Sequence, residues 1–214
     1  MLTKLREPVS GLTHLFGALL SVIGTIILIV LAAKKGTPWH IVTFSIFGAS
    51  LILLYTASTI YHLVCASDKT IRVLRKIDHM MIYVLIAGTY TPVCLVPLRG
   101  PLGWSLFIGV WSLAIAGIVL KVVWFDAPRW LYTLFYLGLS WIIVFAIFPL
   151  AKQVSPMGIV WLMIGGAAYT IGAVIYGTKW PRLKSKVFGF HEIFHLFVLV
   201  GSFSHYWFVA KYLL

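Results

Sequence analysis

The segment "HEIFH" at residues 191 to 195 places two histidines one helical turn apart, with a glutamate between them. Histidines at i and i+4 share one face of a helix, and two imidazoles so placed can bind a single metal ion. A second segment, "STIYH", carries Ser58 and His62 at the same spacing. A third, "IDHMMIY", carries Asp78, and the N-terminal "EPVSGLTH" carries Glu7 and His14. A zinc ion held by His62, His191 and His195 would keep its fourth tetrahedral position open, the mark of a catalytic rather than a structural site.

The elements that position these residues are helices in lipid. The chain has 214 residues, 61% of them hydrophobic and only 10% charged, with a mean hydropathy of +1.01. That balance lies outside the soluble globular range and marks a multi-pass protein of the cell membrane. Seven apolar runs stand out, at about 12–33, 41–65, 78–98, 102–123, 130–150, 156–178 and 190–212, each near the ~20 residues that cross a bilayer. The expected fold class is therefore an all-α membrane protein of seven transmembrane helices, one domain over 1–214. Helices are required because in lipid each must satisfy its own backbone hydrogen bonds.

Basic residues orient the bundle. Twelve of the seventeen fall on one side (Lys4, Arg6, Lys69, Arg72, Arg75, Lys76, Lys121, Arg129, Lys179, Arg182, Lys184, Lys186), against Lys34, Lys35, Arg99, Lys152 and Lys211 on the other. The N-terminus is thus expected in the cytoplasm and the C-terminus outside. The net charge of +12 forms no stripe, so it reads as loop charge and not as a nucleic-acid surface. Cys65 and Cys94 have no CxxC partner, and the orientation sets them near opposite faces of the membrane.

Ionisable groups inside a membrane are functional candidates by default. Under the expected orientation, Glu7, His14, Ser58, His62, Asp78, His191 and His195 share one depth in the cytoplasmic leaflet. Spans 4 to 6 have almost no such groups and read as scaffold, with small-residue pairs such as Ala168/Gly172 and Ala173/Gly177 allowing close approach. Plainer uses stay open for some of these residues. Ser58 could bond the carbonyl four residues back, and Asp78, at the entry of span 3, could serve the helix dipole. His40 and His79 read as interface anchors, and "GTYTPV" as a kink in span 3.

The match to the HExxH protease motif fails on context. No acidic residue follows Glu192, and Val198 and Gly201 break the longer form that ends in a third histidine. Glu192 also lies about 100° around the helix from His191, and is expected at the interface.

"EPVSGLTHLFGALLS", "STIYH" followed by "KIDHMMIYVLIAGTYTP", and "HEIFHLFVLVGSFSHY" together resemble the hemolysin III family, the prokaryotic branch of the progestin and adipoQ receptor (PAQR) family. The resemblance covers essentially the whole chain. It implies a seven-helix protein of the bacterial plasma membrane with a cytoplasmic N-terminus and a zinc ion held by His62, His191 and His195. The family's serine falls on Ser58, and its aspartate, which holds the water at the zinc, on Asp78. Relatives often have Asn where Ser10 stands, so the role of the N-terminal motif, with Glu7 and His14 as accessory candidates, is left open by the resemblance.

Two functions from different classes follow. The first is a zinc-dependent hydrolase acting on an amide or ester of a lipid-like amphiphile, a chemistry attributed to the adiponectin receptors as ceramidase activity. The second is a cytolysin that forms or induces pores, after the haemolytic activity that names the bacterial branch. A secreted pore-former needs a soluble state, which helices hydrophobic all round do not favour. A third is a lipid-sensing receptor with a structural zinc.

Overall fold

The computed structural model describes residues 5–183 and 188–214. Among them the fold is all-helical, with seven long helices: α1 (Pro8–Lys35), α2 (Pro38–Leu63), α3 (Asp68–Leu95), α4 (Pro101–Val123), α5 (Arg129–Ala151), α6 (Pro156–Thr178) and α7 (Phe190–Tyr212). Six are long and apolar enough to cross a membrane; α3 does not reach that apolarity. Proline opens α1, α2, α4 and α6 at positions where its missing N–H costs nothing. Ser67 and Ser155 cap α3 and α6 by accepting from the backbone N–H of Thr70 and Gly158, each at 3.3 Å.

The span expected at 78–98 begins ten residues earlier, at Asp68. The first three turns, "DKTIRVLRKID", are charged but still helical, because Lys, Arg and Leu are good helix formers whether or not lipid surrounds them. Asp78 is therefore deep in α3 and buried. It is not at a helix entry, and the dipole reading of it is corrected.

On α1 the polarity is inverted relative to a helix of a soluble bundle. The buried face of α1 runs through Ser10, Gly11, His14, Gly17, Ser21 and Gly24, while Leu12, Phe16, Leu19, Ile23 and Ile26 point outward. Lipid is as apolar as leucine, so packing is driven by close approach and hydrogen bonding, and small or polar residues gather inside. A Cβ at Gly17 would stand 2.8 Å from both Tyr55 of α2 and Leu199 of α7. Glycine there lets α1 settle onto both helices, and that seating brings the N-terminal motif to the site.

The helix α5 departs from α-geometry at Ile142–Ala146, a 3₁₀ stretch. Tyr90 of α3 explains how the departure is tolerated: its hydroxyl donates to Ser140 O at 2.6 Å and accepts from Ile143 N–H at 2.8 Å. A backbone group freed in lipid must find such a partner. The motif "GTYTPV", expected to kink its own helix, thus acts through Tyr90 on a neighbour, while α3 continues through Pro92 to Leu95.

Candidate metal centre

His62 lies in the last turn of α2, and His191 and His195 in the first two turns of α7. Their ligand atoms all lie within 4.8 Å of one another, and His62 and His195 are fully buried. The tautomers follow from the partners. The Nδ1 of His62 donates to the Glu7 carboxylate, and the Nδ1 of His195 donates to the carbonyl of Ser10 at 3.2 Å. Both acceptors are oxygens without hydrogen, so each Nδ1 carries the proton and each Nε2 presents its lone pair. His62 Nε2 and His191 Nε2 are 3.3 Å apart. Two nitrogens each ~2.05 Å from a tetrahedral zinc would be separated by about 3.3 Å, so this donor set fits the ion.

The N-terminal motif, whose role the sequence left open, forms the outer shell of this cluster. The Glu7 backbone N–H also donates to His62 O at 3.0 Å. The hydrogen bond from His62 is the largest influence holding the Glu7 carboxyl below its ordinary range. The Ser10 hydroxyl donates to Glu192 at 2.6 Å, and Glu192 accepts from Gly189 N–H at 2.7 Å. Glu192 is therefore a cap for α7 and a tie to α1. His14 stacks on His195 with centroids 3.6 Å apart and planes 14° apart, and meets Tyr55 edge-on at 5.0 Å. It is a plate that holds the His195 ring. Sequence reasoning named Glu7 and His14 only as accessories, although Glu7, Ser10 and His14 share one helical face at i, i+3 and i+7, which was the available signal.

Asp78 is buried on α3, with Ser58 of α2 within its electrostatic reach. Asp78 is not among the three groups that converge, yet it lines the same large cavity as Ser58, His191 and His195. That cavity holds about 990 Å³ and runs between α3, α5, α6 and α7 toward Leu162 and His205. A smaller one of about 260 Å³, lined by Glu7, Tyr61, His62 and Arg129, also reaches His191. Spans 4 to 6, expected to be scaffold, supply much of the cavity wall through Lys121, Tyr132, Tyr136, Ile143 and Tyr169. His40 ties the start of α2 to the end of α7: its Nδ1 accepts from Thr37 N–H at 3.0 Å, which leaves Nε2–H to donate to Leu213 O at 2.8 Å.

A family model described as "Haemolysin-III related" matches residues 2–206. Over 99% of its length the chain is 42% identical to a protein named "Hemolysin-3 homolog" from Bacillus subtilis (strain 168), covering 96% of that relative. It is 40% identical to "Hemolysin-3" from Bacillus cereus, over 98% of this chain and 92% of the relative. It is also 26% identical, over 94% of this chain and 82% of the relative, to the human "Monocyte to macrophage differentiation factor".

Proposed function

This chain belongs to the haemolysin III family of multi-pass membrane proteins, and from that premise we propose that it is a zinc-dependent hydrolase of an amide or ester bond in a lipid-like amphiphile. The observation that carries the reading is the convergence of His62, His191 and His195, of which His191 and His195 line, together with Asp78 and Ser58, one apolar-lined cavity. When bound, zinc supplies Lewis acidity toward a carbonyl oxygen and toward water. Asp78, aligned by Ser58, holds the attacking water and takes its proton as general base. Glu7 and the Ser10 carbonyl fix two imidazoles so that neither reorganises during the reaction. The apolar wall receives the acyl chain and keeps bulk water from the linkage.

The proposal includes the orientation. All seven helices cross, with the N-terminus cytoplasmic, the C-terminus outside and the whole chain one membrane domain. It is supported by the basic residues at one end of the bundle: Lys69, Arg72, Arg75 and Lys76 open α3, Lys121 closes α4, and Arg129 opens α5. Lys4, Lys184 and Lys186 lie outside the described residues. The site then sits in the inner leaflet, where an amphiphile can enter sideways.

The printed name of the Bacillus cereus relative favours a second reading, a cytolysin. One experiment separates the two. The purified zinc-loaded protein is incubated with a library of amide- and ester-linked lipids, and products are sought that vanish in His195→Ala. Lysis of vesicles that persists in His195→Ala, without any product, would leave the pore and remove the hydrolase.

A further inference from the structure

One aromatic ring gathers four cations. The centroid of Phe125 lies 4.9 Å from Lys121 Nζ, 5.5 Å from the Arg72 guanidinium, and 5.6 Å from both Arg75 and Lys76. A ring face attracts a cation by about 0.5–2 kcal/mol, which does not offset the repulsion of several like charges crowded together. Two of the four have other partners: Arg72 pairs with Asp126 at 2.5 Å, and Lys76 donates to Val122 O at 3.0 Å. Arg75 and Lys121 have neither a carboxylate nor a carbonyl partner among the described residues.

Lys121 is the sharper case. It is 2% exposed, at the end of α4, and its ammonium rests 3.3 Å from the centroid of the Tyr132 ring. The sequence counted it as a loop charge. The one carboxylate within its electrostatic reach, Asp126, is already paired with Arg72, and a buried cation so poorly compensated is costly and marks a functional place. Both Lys121 and Arg75 line the large cavity, as does Arg129, whose guanidinium bonds Tyr176 O at 3.3 Å. All three lie within electrostatic reach of His79, which lines the same cavity. The carboxylates on this wall are Asp126, paired with Arg72, and Asp78, which lies within electrostatic reach of Arg75 without an ion pair to it. Beyond them the lining turns apolar, through Leu85, Val93, Ile143 and Ile147.

We propose that Lys121, Arg75 and Arg129 form a subsite for the phosphate headgroup of a single-chain amphiphile whose hydrocarbon fills the cavity behind it. Three separated donors match a tetrahedral dianion with three free oxygens better than a planar carboxylate, and arginine presents a fork suited to phosphate. A cavity near 1,000 Å³ is the size that encloses one ligand of several hundred daltons. The inference deepens the hydrolase reading by naming an anionic substrate class, but binding at this subsite requires no turnover and no metal.

The test is binding to the purified full-length protein in neutral detergent, by calorimetry, with hexadecyl phosphate, hexadecanol and inorganic phosphate as probes. Wild-type protein is expected to prefer hexadecyl phosphate over the other two. Lys121→Met should weaken hexadecyl phosphate by about 10–100-fold, the range for one charge-assisted hydrogen bond, and leave hexadecanol unchanged. Arg75→Gln, on an exposed side chain, provides the same readout if Lys121→Met does not yield a monodisperse helical protein. Unchanged phosphate binding in these variants, an equal loss of hexadecanol, or inorganic phosphate binding as tightly as the amphiphile would each overturn the proposal. His62→Ala separates the two readings: it should lose the metal and any hydrolysis while keeping the preference for hexadecyl phosphate.

Discussion

Replacing Glu7 tests whether the N-terminal motif tunes the metal centre. The Glu7 carboxylate accepts the Nδ1 proton of His62, which fixes the tautomer and raises the basicity of the opposite nitrogen. Loss of such an outer carboxylate typically costs 10–100-fold in metal affinity, about 1.4–2.7 kcal/mol. The Glu7 side chain is 43% exposed, so in Glu7→Ala water takes over part of the hydrogen bond, and the loss should fall near the lower end, about 10-fold. Glu7→Gln keeps an acceptor without the charge and should lose less than the alanine variant. The backbone bond from Glu7 N–H to His62 O survives both changes, so the start of α1 should stay in place. Affinity is read by competition with a chromophoric zinc chelator in detergent, with circular dichroism as the control for helix content. Wild-type zinc affinity in Glu7→Ala, or a loss in Glu7→Gln as complete as that in His62→Ala, would refute the reasoning.

The zinc content itself should be about one per chain, with three nitrogen ligands and one oxygen by X-ray absorption. His62→Ala, His191→Ala and His195→Ala should each deplete it, while His40→Ala and Glu192→Gln retain it. Asp78→Asn should keep its zinc and its insertion yet lose about 10²–10⁴-fold in hydrolysis, because an amide cannot take the proton; full activity in that variant would remove the general base. Reporter fusions after Lys35 and at Leu214 should both report the outside, and a cytoplasmic signal at Leu214 would reverse the proposed topology.

The sequence by itself determined what depends on local repetition. Apolar runs of about twenty residues reveal spans, because the bilayer sets their length. His191 and His195 could be paired, and Ser58 and His62 likewise, because the helix period alone places i and i+4 on one face. Asp78 could be named, but its position could not. Hydropathy registers where lipid contact ends, whereas α3 runs three turns further through Lys69, Arg72 and Arg75, residues that favour a helix without lipid around them. What only the tertiary structure decided is which faces meet. Glu7 reaches His62, and the Ser10 carbonyl reaches His195, because Gly17 lets α1 lie against α2 and α7. Tyr90 supports the broken turn of a helix fifty residues away. Lys121 looked like loop charge until α4 and α5 closed Phe125 and Tyr132 around it. Contacts between helices arise from packing of surfaces distant in sequence, and helical periodicity carries no term for them.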